Sequence, residues 1–140
     1  MTPPTRIPPR SVFREKLAFS RAVEVQGVAH VSATGPTDAA GKLVAPDAYA
    51  QTVDVFRQIE AALGELGLTR ADITRIRIYL IDYADLDDIL RAQRPLFDAT
   101  PPACSVLCVA GFHVDGMRVY IEADAVRPTA PLPDATEAGR

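Results

Sequence analysis

Near the C-terminal end of the chain, Arg118, Tyr120, Glu122 and Asp124 alternate with Val119, Ile121, Ala123 and Ala125. A period of two is the signature of a β-strand, here with a guanidinium, a phenol and carboxylates on one face and an apolar strip on the other. A carboxylate so placed can hold and polarise water or move a proton, and a phenol can donate to a substrate oxygen. The same pattern also fits a wetted strand surface. Upstream, Cys104 and Ser105 open a short apolar stretch after Pro101 and Pro102. A thiol becomes a nucleophile when a cation or base lowers its pKa, and no sequence neighbour of Cys104 supplies one. Otherwise Cys104 is a small hydrophobe, as Cys108 is in the core. Arg21 alternates onto the face of Phe19, where it either reaches an anion or faces solvent; Arg75, Arg77 and Arg118 read as surface charges. His30 and His113 have no acid partner at recognisable spacing, so no nucleophile–His–acid set is defined. The glycines mark turns and form no phosphate-binding loop.

The elements that would position these groups follow from periodicity. Ala18 to Val25 and Val28 to Ala33 read as two strands of a hairpin turning at Gln26-Gly27. Thr34 to Pro46 is a long loop that could edge a cleft. Asp47 caps a helix whose apolar stripe is Tyr49, Val53, Phe56, Ile59, Leu63 and Leu66, ended by Gly67. Ile73 to Ile81 is a strand with Ile76, Ile78 and Leu80 on one face and Arg75, Arg77 and Tyr79 on the other. Asp82 or Asp85 caps a second helix with Leu86, Ile89 and Leu90 inward, and Pro95 is expected to kink or restart it. Cys104 to Ala110 and Arg118 to Val126 close the chain as a hairpin with a glycine-containing loop. The Cys104 strand is apolar on both faces. One helical layer covers only one of them, which predicts burial against another subunit.

The chain has 140 residues and a net charge of −3, which fits one domain and gives no electrostatic case for nucleic acid. No apolar run approaches the ~20 residues that span a bilayer. Two cysteines four positions apart on one strand lie ~13 Å apart, too far for a disulfide, and no Cys/His spacing suggests a metal site. Reduced thiols and the lack of a secretory signal predict a cytoplasmic protein. Residues 1–11 are proline-rich and expected to be flexible, 12–127 form the domain, and 128–140 read as a disordered tail.

The pattern P-P-A-x-S … V-x-I-E-A-x-A over Pro101 to Val126 resembles the C-terminal signature of the RidA (YjgF-like) reactive-intermediate deaminases. Phe19 to Val23, Val31 to Ala33, the helix from Asp47 and Ile76 to Leu80 match in the same order. The resemblance implies an α+β, chorismate-mutase-like fold: a sheet with two helices on one face, assembled as a homotrimer with clefts between subunits. It implies hydrolysis of enamines or imines to ketones and ammonia without metal or cofactor. A small molecule would be the partner, with no nucleic acid or membrane. Where the family grips a substrate carboxylate with Arg, this chain has Cys104; where it positions water with Glu, this chain has Tyr120. The departure predicts weak activity towards amino-acid-derived imines. Glu122, Tyr120 and Cys104 are the candidate catalytic residues, and Phe19, Arg21, Ser32 and Ser105 the candidate substrate-binding ones. The alternative is a sensor that kept the cleft and lost the chemistry.

Overall fold

The computed structural model describes residues 2–129. Eight main elements follow in order: β1 (Thr5–Ile7), β2 (Ala22–Val25), β3 (Val28–Thr34), α1 (Ala48–Glu65), β4 (Ile73–Leu80), α2 (Leu86–Phe97), β5 (Ala103–Cys108) and β6 (Val119–Val126). The strands form one six-stranded sheet in the order β1-β2-β3-β6-β4-β5. β4 and β5 run parallel, and the other neighbours are antiparallel. The architecture is α+β, a mixed sheet with both helices packed on one face.

Alternation explains the two faces. Paired residues on neighbouring strands share a side. The rows Ala22–Val31–Ala123–Ile76 and Ile121–Ile78 turn inward, and each of these side chains is buried. Val55, Phe56, Ile59 and Leu63 of α1 and Ile89 and Phe97 of α2 complete this core. Asp47 caps α1 by accepting from the Ala50 N–H, and Gly67 takes the left-handed conformation (φ 74) that ends it. β2 and β3 form the expected hairpin, with positive φ at both Gln26 and Gly27, as a two-residue turn between twisted strands requires.

Several expectations are corrected. β5 and β6 are not a hairpin: β4 lies between them, parallel to one and antiparallel to the other. β5 is therefore an edge strand, and Cys104, Leu107 and Cys108 are exposed, so Cys108 is not in the core. The proline-rich N-terminus is not free throughout, because Thr5–Ile7 pairs with β2 and buries Ile7. β2 begins at Ala22 rather than Ala18, leaving Phe19 ahead of the strand. The stripe of α1 is offset: Val53 is exposed, and Gln51, Thr52 and Val55 take the inward positions. Leu90 is exposed, and α2 continues through Pro95 to Phe97. Asp82 accepts from the Ala84 N–H, whereas Asp85 makes no side-chain cap and pairs with Arg118 at 3.0 Å. The tail expected to be disordered lies, from residue 130 on, outside the described residues.

Candidate functional site

Among the described residues, the second face of the sheet carries no helix, and its centre is polar, with Val23, Val25, Val28, Val126 and Leu107 on the same side. Register places Arg77 opposite Glu122 and Ser105, and Tyr79 opposite Tyr120 and Leu107. His30 lies opposite Asp124. A continuous chain of contacts results. The Tyr79 hydroxyl donates to Glu122 Oε1 at 2.6 Å. Arg77 Nη1 lies 3.7 Å from the same oxygen and 3.3 Å from Asp124 Oδ2. Asp124 Oδ1 meets His30 Nδ1 at 2.8 Å. The Glu122 bond, followed by burial, raises the Tyr79 pKa, so the phenol stays protonated and remains a donor. The Glu122 and Asp124 side chains are each about a third or less exposed (32% and 24%), so these contacts are partly shielded from water. They border an open depression of ≈ 450 Å³, which Arg6, Val23, His30 and Ser32 also line.

A second group sits further along β6. Tyr120 is half-buried against Phe112 (ring centroids 5.7 Å apart) and His113 (6.0 Å), and His113 meets Phe13 edge-on at 4.6 Å. The absent side chain of Gly35 makes room first for the Met117 methyl, which a Cβ there would overlap, and then for this ring, which would lie 3.2 Å from that Cβ. Arg21 Nη1 donates to the Ser32 carbonyl at 3.2 Å, and Nη2 donates to the Thr34 hydroxyl. Burial lowers the Arg21 pKa and raises that of Tyr120, and each group's field partly opposes the other's shift. The pair is a protonated phenol beside a guanidinium, able to donate to an anionic or carbonyl oxygen.

The fold thus brings Glu122, Tyr120, Arg21, Ser32 and Ser105 to one side of the sheet. The Ser32 hydroxyl is engaged by the Ser20 carbonyl at 2.7 Å. Phe19 is half-buried, outside the sheet ladder. Cys104 does not join the group. It shares a row with Ile76 and Ala123, which places it on the helix side at the sheet edge, and burial pushes its thiol pKa up, away from the thiolate. Sequence reasoning missed Tyr79 and Arg77 as partners of Glu122, and Asp124 and His30 as the continuation of that chain of contacts. Their alternation was visible, but the register that pairs them was not.

Buried polar contacts fix the start of β6. Gln51, fully buried on α1, donates to the carbonyls of Ala45 and Gly116 (2.9 Å each) and accepts from the Arg118 N–H at 2.8 Å. Among the described residues, no group of three or more His, Cys, Asp or Glu side chains could hold a metal ion. No helix there is long and apolar enough to cross a membrane.

An open-faced mixed sheet backed by two helices defines the class, and comparison with known proteins names it. The chain matches the family described as Endoribonuclease L-PSP over residues 12–127. An uncharacterised protein of Streptomyces coelicolor is 32% identical over 124 residues, spanning 87% of this chain and 91% of that protein. A solved Mycobacterium tuberculosis member of the highly conserved YjgF/YER057c/UK114 family superposes with a TM-score of 0.80 at 32% identity, covering 89% of this chain and 99% of that one. Escherichia coli TdcF, solved with bound serine, gives a TM-score of 0.74 at 25% identity over 80% of this chain and 90% of its own. The chain belongs to the Endoribonuclease L-PSP family, the group that includes the YjgF and RidA proteins.

Proposed function

We propose that the protein hydrolyses a small enamine, imine or related reactive molecule on the open sheet face, in a cleft completed by another copy of the chain. The observation that carries this reading is the 2.6 Å bond from Tyr79 to Glu122 Oε1, which fixes a carboxylate at the depression and leaves Oε2 without a hydrogen bond among the described residues. That oxygen accepts a proton from water as the water oxygen attacks the C=N carbon. The carboxylate passes that proton to the nitrogen, giving a carbinolamine (an enamine reacts as its imine tautomer). The carbinolamine hydroxyl then yields its proton, by way of the same carboxylate, to the nitrogen as the carbon–nitrogen bond breaks, giving a carbonyl product and ammonia. Tyr120, further along the same strand, and Arg21, just ahead of β2, supply donors for a substrate oxygen. Cys104, on the other side with its pKa raised, has no role in this scheme.

The placement of Cys104 and Tyr120 at the two positions where the family carries Arg and Glu favours a second reading, a protein that binds a small molecule without turning it over. The serine held by TdcF gives that reading a precedent within the fold. RNA cleavage is less well supported, because Arg77 is already paired with Asp124 and Glu122 and a polyanion would meet carboxylates beside it. The test is turnover across a panel of enamines and imines, with amino-acid-derived imines expected to be weak substrates. Glu122→Gln keeps the shape and removes the base, so the rate should fall ~10²–10⁴-fold, while Cys104→Ser stays near the parent. Turnover lost in Cys104→Ser and kept in Glu122→Gln would reverse the roles. Binding without turnover in the parent would favour the second reading.

A further inference from the structure

The depression on the open face is bipolar. At its outer end stands Arg6, on the edge strand β1, with no ion pair or hydrogen bond among the described residues. At its inner end stands Glu122, whose Oε1 is held by Tyr79 while Oε2 is unclaimed by the described residues. Between them lie Val23, which is half-buried, and the ring of His30. The remaining charges are spoken for, since Asp124 is shared by His30 and Arg77. Two guanidinium groups (Arg6, Arg77) face two carboxylates (Glu122, Asp124), so these charges of the lining balance. Such a site favours a ligand that is itself neutral overall, because a ligand with one uncompensated charge loses hydration without full repayment.

The spacing sets the length of that ligand. Arg6 pairs with Val23, Val23 with His30, and His30 with Asp124, the neighbour of Glu122 on that face. Crossing from β1 to β6 therefore takes three strand steps of ~4.8 Å, or ~14 Å between backbones. Side chains leaning inward shorten this gap without closing it. An α-amino acid, with its ammonium and carboxylate on one carbon, is too short to reach both ends.

We propose that this depression binds a zwitterion whose ammonium and carboxylate are separated by several bonds, such as an ω-amino acid. The carboxylate lies on Arg6, the ammonium on Glu122 Oε2, and the methylene chain over Val23. The proposal rests on the functional reading above only in sharing Glu122, and it concerns equilibrium binding.

The test is calorimetric titration of the full-length protein with 6-aminohexanoate, hexanoate, hexylamine and glycine. The first should bind, and each of the others should bind about tenfold or more weakly, as expected for losing a hydrogen bond to a charged group. Arg6→Gln should weaken 6-aminohexanoate binding by a similar factor, Arg6→Lys should largely retain it, and Glu122→Gln should weaken it again. Equal binding of hexanoate or glycine, or unchanged affinity in Arg6→Gln, overturns the proposal. The probe contains no C=N bond, so a failed search for turnover leaves the binding result standing, and failed binding leaves hydrolysis standing.

Discussion

Tyr79 is the residue that turns Glu122 from a strand side chain into an oriented acceptor. The phenol sits across the β6–β4 ladder from Tyr120 and reaches back along the strand to Glu122. Removing its hydroxyl in Tyr79→Phe deletes one hydrogen bond to a charged group, worth ~1.5–3 kcal/mol. If that bond positions the catalytic carboxylate, kcat should fall ~10–100-fold with little change in KM. A purely structural tyrosine would leave kcat intact and lower only the melting temperature, so steady-state kinetics with a separate melting curve distinguish the two. Arg77 cannot replace it. Its guanidinium stands 3.7 Å from the carboxylate and is closer to Asp124, at 3.3 Å.

Among the elements, those with strong periodicity were legible and those defined by pairing were not. β4 and β6 announce themselves because one face of each is buried, and a slip of one residue would expose Ile76, Ile78 and Ile121. β1 has three residues flanked by prolines, too few to show an alternation. The insertion of β4 between β5 and β6 leaves no local trace, so two strands adjacent in sequence looked like a hairpin. In the site, Tyr120 and Glu122 were visible as alternation, whereas the Tyr79–Glu122 and Arg77–Asp124 contacts depend on register. Gln51 shows the same limit, as a polar residue on the inward side of α1 whose value lies in what it ties together. Gln51→Leu removes three hydrogen bonds and leaves two part-buried carbonyls and an N–H without their partner, so unfolding free energy should drop by ~2–4 kcal/mol in urea titration. A drop under ~0.5 kcal/mol would mean that water takes over the vacated bonds. At the far end of β6, Arg127 donates to both oxygens of Glu24 (2.7 and 2.8 Å) and to the carbonyl of Leu66 after α1. The Arg127 hydrogen bond holds the Glu24 pKa below its ordinary value in the folded protein. The sign follows directly: this stabilisation is present above the unfolded carboxylate pKa and is lost as pH falls through the lowered folded value. Melting temperatures should therefore decline on acidification less steeply in Glu24→Gln than in the parent; parallel curves would mean that the clamp contributes nothing to stability.

For the whole molecule, the question is what covers the open face. Among the described residues the sheet ends in two unpaired edges, β1 and β5, and β5 exposes Leu107 (47%) on the same side as Tyr79 and Tyr120. Exposed edges and a half-covered sheet are features that association commonly resolves. The polar groups need not oppose it, because Arg77, Asp124, His30 and Tyr79 are already paired within one chain and Glu122 is held through Oε1, which leaves only its Oε2 and Arg6 to the depression. Burying a satisfied network costs much less than burying lone charges. Burial of the face requires only that copies of the chain cover one another, and the family resemblance supplies the number three. The expected outcome is a homotrimer by light scattering at micromolar concentration. Leu107→Asp should shift the mass towards monomer, because it places a carboxylate on the apolar part of the contact without touching the helix-covered core. A parent monomer would refute both arguments. A dimer would keep the burial argument and discard the family one. A trimer indifferent to Leu107→Asp would mean that the copies meet elsewhere, leaving the open face and its carboxylate facing solvent, and the cleft reading would then have to be abandoned.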